Sequence, residues 1–147
     1  MLLWDGSCIV HETISERKII DLKVRHPEAK IIAHPECEET VLRHADYIGS
    51  TSKLLQFVSE DSASCYIVAT ESGILHQMGK LAPGKILIAA PPESNCNCNE
   101  CPYMRLNTLE KLYLCMRDKT PQINLSREVM AKALHPIERM LEMSQSA

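Results

Sequence analysis

Five short apolar runs, separated by stretches of helical period, constrain this chain more than any other feature of its sequence. The runs are residues 2–4, 30–33, 45–48, 65–69 and 85–90. Three are rich in Ile or Val and polar on neither face, the pattern of parallel strands covered on both sides. The stretches between them, 11–25, 38–44, 51–59 and 73–81, are predicted helices, and the alternation predicts βαβ units. The expected fold class is α/β: a three-layer αβα arrangement with a short parallel sheet, plus C-terminal helices over 103–117 and 126–142. Ser126 is a suitable N-cap for the last of these. The first run opens on a strand with no partner before it, so an upstream portion is expected.

A chain of 147 residues, 45% hydrophobic and 24% charged, suits a soluble globular domain and excludes disorder. A net charge of −3 offers no basic surface, which argues against a nucleic-acid partner. No apolar run approaches the roughly 20 residues that span a bilayer. The start lacks the basic region and apolar core of a signal peptide. A cytoplasmic protein with no membrane partner is expected. In that reducing compartment the seven cysteines point to metal or redox chemistry rather than to disulfides. Cys65, in an apolar run, and Cys115, in a predicted helix, read as small buried hydrophobes. Cys96, Cys98 and Cys101 do not.

Ligands of open parallel sheets bind beyond the carboxyl ends of the strands. Here each predicted strand runs into polar or sulfur side chains: Ser7, Cys8 and His11; His34-Pro35-Glu36; Gly49-Ser50-Thr51-Ser52; Thr70-Glu71-Ser72-Gly73; and Asn95 to Cys101. Gly49-Ser50-Thr51-Ser52 reads either as a helix N-cap or as an anion site of backbone N–H groups and hydroxyls. His34 and Glu36 form either a surface turn or an acid–base pair reaching one ligand. Thr70 to Gly73 reads as a helix start. His26 and His44 flank helix ends and read as exposed and structural; His76 and His135 lie in predicted helices and carry no assigned role. Cys98-Asn99-Glu100-Cys101 is a CxxC, compatible with zinc, an iron–sulfur cluster or thiol–disulfide exchange. A zinc site from Cys98, Cys101, Cys8 and His11 is the rival reading, that of a non-catalytic zinc-binding or interaction module.

Six ordered motifs together are more specific. Gly6-Ser7-Cys8-Ile9-Val10-His11-Glu12, His26-Pro27-Glu28-Ala29-Lys30, His34-Pro35-Glu36-Cys37, Gly49-Ser50-Thr51-Ser52, Ala69-Thr70-Glu71-x-Gly73 and Cys98-x-x-Cys101-Pro102-Tyr103-Met104 resemble quinolinate synthase in that order. The resemblance runs from Trp4 to about Leu112. It implies a family fold of three similar αβα domains around a pseudo-threefold axis, with the active site where they meet. On that basis residues 1–16 are the end of the second domain, 17–102 the αβα third domain, and 103–147 the C-terminal helices.

The resemblance further implies a transferase of NAD biosynthesis that condenses iminoaspartate with dihydroxyacetone phosphate to quinolinate, losing water and phosphate. It implies a [4Fe–4S] cluster held by one cysteine from each domain, with the fourth iron open as a Lewis acid. Cys8 resembles the second-domain metal ligand and Cys101 the third-domain one; Cys96 and Cys98 resemble accessory cysteines, although their spacing departs from a tandem CxxC. His34 and Glu36 resemble the catalytic pair that contacts substrate and assists proton transfer. Ser50 and Thr51 resemble the hydroxyls that grip the substrate's phosphate or carboxylate, with substrate-binding His11 nearby. The family chain is more than twice as long. Its first domain, the first cluster cysteine and a substrate-facing tyrosine have no counterpart here. The chain is therefore expected to be a fragment, a truncated gene or half of a split enzyme, inactive without a separate N-terminal half.

Overall fold

The computed structural model describes residues 6–94 and 99–145, so the predicted strand at 2–4 and the cysteines Cys96 and Cys98 lie outside the described residues. The chain divides into two compact units, Met1–Leu106 and Asn107–Ala147. The first holds α1 (Ile9–Glu12), α2 (Glu16–Arg25), β1 (Lys30–Ala33), α3 (Glu39–Leu42), β2 (Tyr47–Ile48), α4 (Thr51–Glu60), β3 (Cys65–Ala69), α5 (Ile74–Leu81) and β4 (Ile86–Ala89). A 3-10 turn, Met104–Leu106, ends it; the second unit holds α6 (Leu109–Asp118) and α7 (Arg127–Gln145).

The four strands form one parallel sheet in the order β2-β1-β3-β4. The α/β reading of the sequence is therefore correct. All five residues of β3 are buried. Successive strand side chains point to opposite faces, so Cys65, Ile67 and Ala69 join Ile19 and Leu22 of α2 and Val41 of α3 in one core cluster. Tyr66 and Val68 face the other way, against Leu54 and Val58 of α4 and Met78 of α5. Burial on both faces is what makes this run continuously apolar. Strand β4 lies at the edge, and Ile86 there is exposed.

The chain moves from β1 to β2 in one direction and returns past β1 to β3 in the other. Right-handed crossovers in opposite directions put their helices on opposite faces, which is why α3 and α4 cover different sides. The strand order reverses between β1 and β3. That reversal defines the crevice where ligands of such sheets bind.

The predicted helix over 11–25 is two helices. Between them Ile14 pairs antiparallel with Pro92, Ser15 N–H donates to the Pro91 carbonyl (3.0 Å) and Glu93 N–H donates to the Thr13 carbonyl (2.8 Å). Ser15 then caps α2 by accepting from Lys18 N–H, and Lys18 Nζ donates to the carbonyls of Pro92 (2.6 Å) and Ser94 (2.7 Å). The segment after β4 supplies partners that helical continuation through 13–15 would forgo.

At the far edge of the sheet Asp61 accepts from Lys30 Nζ (2.6 Å), Tyr66 Oη (2.7 Å) and Ala63 N–H (3.1 Å). These donors, Lys30 first, hold its carboxyl well below the usual carboxylate range, while burial and the Asp61 carboxylate push the Tyr66 phenol up. A depressed native pKa stabilises above the unfolded value and loses that contribution as pH falls through the native one. Asp61→Asn is accordingly expected to lower the thermal midpoint at neutral pH, with the gap to wild type closing as pH falls through and below the ordinary carboxylate range. A gap independent of pH would contradict the ion-pair account.

In the second unit Thr108 caps α6 by accepting from Lys111 N–H (3.2 Å), and Ser126 accepts from Val129 N–H (3.2 Å) at the start of α7. Cys115 on α6 is exposed, not buried as the sequence suggested. A helix-forming, apolar neighbourhood in sequence does not specify which face is covered. No helix among the described residues is long and apolar enough to cross a membrane.

Candidate functional site

The loops leaving β1 and β3 meet at the switch point with the short helix α1. Cys8 has extended backbone (φ −96°, ψ 115°) and its carbonyl accepts from His11 N–H (2.9 Å) and Glu12 N–H (3.0 Å), so one turn of helix separates Cys8 from His11. Val10 anchors that turn in the interior and His11 is also buried.

The His11 ring is held at both nitrogens. Nδ1 lies 3.1 Å from Glu36 Oε2 and Nε2 lies 3.0 Å from Thr70 Oγ1. A carboxylate only accepts, so neutral His11 carries its proton on Nδ1 and accepts from the Thr70 hydroxyl at Nε2; this tautomer is assigned from the partners. His34 stacks on His11 with centroids 4.4 Å apart and planes within 5°. Glu36 N–H donates to His34 Nδ1 (3.3 Å), which leaves the neutral His34 proton on Nε2. Burial, then the neighbouring His11, lowers the His34 pKa from its ordinary 6.5, with Glu36 pulling the other way. An NMR titration is expected to place the His34 midpoint below 6.5, and His11→Gln to move it upward. A wild-type midpoint at or above that value would contradict this assignment.

Glu36 is largely exposed, so its carboxylate orients His11 while remaining open to a ligand. Cys37 differs from the other thiols. It is buried, donates to the Ala69 carbonyl (3.3 Å), and burial pushes its pKa up to about 11. A thiol so poorly ionised is structural rather than reactive.

Cys101 is carried by the loop after β4, and Asn99 ties that loop to the others. Asn99 is buried; its Nδ2 donates to the Val10 carbonyl (3.0 Å), its Oδ1 accepts from Thr13 Oγ1 (3.4 Å), and its carbonyl accepts from Ser72 N–H (3.0 Å). One side chain thus links the loop of Cys101 to the helix of Cys8. Both thiols are free and half-buried.

Ser50 and Thr51 stand at the start of α4, both exposed, and Ser50 makes no side-chain capping bond. The N-cap use of the Ser50 hydroxyl considered from the sequence is therefore not what the fold shows. Gly49 before them is required by space: a Cβ there would meet Lys53 Cβ at 2.9 Å and the Tyr47 ring at 3.0 Å.

The structure brings His11, His34 and Glu36 into one contact group. Thr70 belongs to it as well, Asn99 ties the neighbouring loops together, and sequence reasoning gave neither a role. Thr70 was read only as part of a helix start, although its place at the carboxyl end of β3 was a usable signal. Asn99 was hidden inside the CxxC. Among the described residues, Cys8, His11 and Glu36 present ligand atoms within 4.8 Å of one another, so this corner could also hold a metal ion.

The family model described as Quinolinate synthetase A protein matches residues 1–142. The chain is 71% identical over 144 residues to the quinolinate synthase of Microcystis aeruginosa, covering 98% of this chain and 45% of that protein. It is 62% identical over 145 residues to that of Thermosynechococcus vestitus, covering 98% and 46%, and 61% identical over 144 residues to that of Trichormus variabilis, covering 98% and 44%. It thus spans about half the length of the curated relatives it matches. With an αβα unit, a switch-point His/Glu pair and identity at this level over nearly its whole length, the chain belongs to the quinolinate synthase family.

Proposed function

We propose that this chain supplies the acid–base group and two cluster thiols of a quinolinate synthase, and that it acts together with the remaining part of the family chain. The observation that carries this reading is the joined set at the switch point: His11 fixed by Glu36 and Thr70, His34 stacked on it, and Asn99 tying the loop of Cys101 to the helix of Cys8. In this reading residues 1–16 end a second domain, 17–102 form a third, and 103–147 are appended helices.

The donor set fits a [4Fe–4S] cluster in part. Cys8 and Cys101 are free, half-buried thiols on tethered loops, and thiolates are the ligands such clusters take. Two are too few for the whole cluster, and the resemblance to the family implies that the third ligand comes from its first domain. When bound, the cluster supplies an open iron that acts as a Lewis acid on a substrate oxygen.

This chain's own side chains do the rest. Glu36, exposed beside His11, takes a proton from bound substrate, and neutral His34 offers its Nε2 proton on the same edge. Thr70 and Glu36 hold the His11 ring in one tautomer. The exposed hydroxyls of Ser50 and Thr51, with the free N–H groups that open α4, suit a phosphate or carboxylate. The substrates would be iminoaspartate and dihydroxyacetone phosphate, the reaction class a transferase, and the location the cytoplasm.

The test is anaerobic iron–sulfur reconstitution of this chain alone and of this chain with the remaining part of a full-length relative. Iron, sulfide and cluster absorption in the combined sample, lost on Cys8→Ser or Cys101→Ser, are expected, together with quinolinate formation. Zinc held through Cys8 and Cys101, with no cluster absorption in either sample, would replace this reading with that of a zinc-binding module.

A further inference from the structure

The edge of the sheet opposite the switch point carries a second convergence of donors. His26 ends α2, Glu28 lies in the turn before β1, and Cys65 opens β3. Ligand atoms of all three lie within 4.8 Å of one another. His26 Nδ1 is 3.8 Å from Glu28 Oε1, and the Cys65 thiol lies within 4.8 Å of both donors. Five residue steps of strand, about 16 Å at ~3.3 Å per residue, separate Cys65 from Thr70. This group is therefore remote from the chemistry described above.

From this geometry we propose that His26, Glu28 and Cys65 form a binding site for a divalent metal ion, with zinc the best-suited cation.

The donor set selects the metal. One thiolate, one imidazole and one carboxylate make a mixed S/N/O set that suits zinc and not magnesium or calcium, which take oxygen. Bond lengths of about 2.0–2.3 Å imply donor–donor separations of about 3.3–3.8 Å around a tetrahedral ion. The His26–Glu28 pair is already there, and closing the third donor needs about 1 Å of movement from half-exposed or exposed side chains.

The backbone holding them is fixed. His26 N–H donates to the Leu22 carbonyl (2.8 Å), Ala29 N–H donates to the His26 carbonyl (3.0 Å), and Lys23 Nζ donates to the Ala29 carbonyl. Cys65 is locked into the parallel ladder opposite Ile86. On binding, the metal takes the place of the Cys65 thiol proton. The S–H bond breaks, the proton leaves to solvent, and the sulfur lone pair forms the metal bond. Burial and then the Glu28 carboxylate push the Cys65 pKa up, with Lys23 pulling the other way, so metal binding has to displace a proton that the metal-free site holds. Water completes the fourth position, since three protein donors converge among the described residues.

Such an ion would cross-link the end of α2, the turn into β1 and the start of β3, and so would stabilise the folded state by mass action. The test uses the full chain with Cys8, Cys96, Cys98, Cys101 and Cys115 replaced by Ser, which leaves Cys65 and the buried Cys37 as its thiols. Zinc affinity is measured by competition with a chromophoric chelator, and cobalt(II) is used to read thiolate charge-transfer absorption. One equivalent of zinc, a cobalt–thiolate band and a zinc-dependent rise in thermal midpoint are expected. His26→Ala and Glu28→Gln should each weaken zinc by at least about tenfold, since even outer-sphere partners of metal ligands are worth about 10–100-fold. Cys65→Ala should abolish the band. Both surface variants are expected to retain the wild-type circular dichroism, so failure of the buried Cys65 variant to fold leaves the proposal testable. No zinc bound by the parent variant, or zinc affinity unchanged by His26→Ala and Glu28→Gln, would overturn it.

Discussion

Glu36→Gln is expected to lower kcat/KM of the completed enzyme by about 10²–10⁴-fold, the range for loss of a positioned general acid or base. The amide keeps the size and can still accept from His11 Nδ1, so the 3.1 Å contact and the stacking of His34 on His11 should survive. What goes is the negative charge and the ability to take a proton. Because Glu36 is largely exposed, its substitution should leave the melting temperature of this chain unchanged within error. Thr70→Val provides the contrast. It removes the hydroxyl at Nε2, leaves a buried ring nitrogen without that partner, and should lower stability as well as activity. Equal kcat/KM for Glu36→Gln and wild type, measured with the remaining part of the family chain supplied, would remove Glu36 from the proton-transfer step.

Ile67→Ala is expected to have the largest effect on folding. Ile67 is fully buried at the centre of β3, and its side chain meets the cluster formed by Ile19, Leu22, Ile31 and Val41. Truncation of such a residue costs about 2–5 kcal/mol through lost transfer energy and the cavity left behind. Domains have only about 5–15 kcal/mol to lose. Both flanking strands hold this position in register, opposite Ile31 and Ile88, so the backbone has little room to collapse into the gap. Urea unfolding should show a lower midpoint at an unchanged slope, since the surface exposed on unfolding is nearly the same. Val24→Ala is the control: Val24 is 76% exposed, and its truncation should change stability by no more than about 0.5 kcal/mol. Similar midpoints for the two variants would contradict the assignment of β3 as the centre of the core.

Much of this molecule was legible locally. The bounds of β1 and β3 coincide with the apolar runs 30–33 and 65–69, because a strand buried on both faces leaves a continuous apolar signature. The helices α4 and α5 agree with their predicted spans to within a residue, since their turn signals, Ser50-Thr51 and Gly73, are also local. The candidate loops were picked out for a related reason: polar and sulfur residues follow each strand, and the carboxyl edge of a parallel sheet is where ligands bind.

What the tertiary structure alone decided was which of those loops face each other. Strand order β2-β1-β3-β4 places β3 beside β1, although β2 intervenes in sequence, and so brings Thr70 to a ring nitrogen of His11. The pairing of Ile14 with Pro92, 78 positions apart in sequence, splits a stretch that reads as one helix. Asn99 gains its place by donating to the Val10 carbonyl, a group no local pattern could designate. Cys115 went wrong for the same reason, since burial depends on a covering partner and not on a residue's own hydrophobicity. Element type follows from periodicity over a few residues, so the sequence itself determined it. Strand order and long-range hydrogen-bond partners follow from packing two faces of one sheet at once, and only the folded chain decides those.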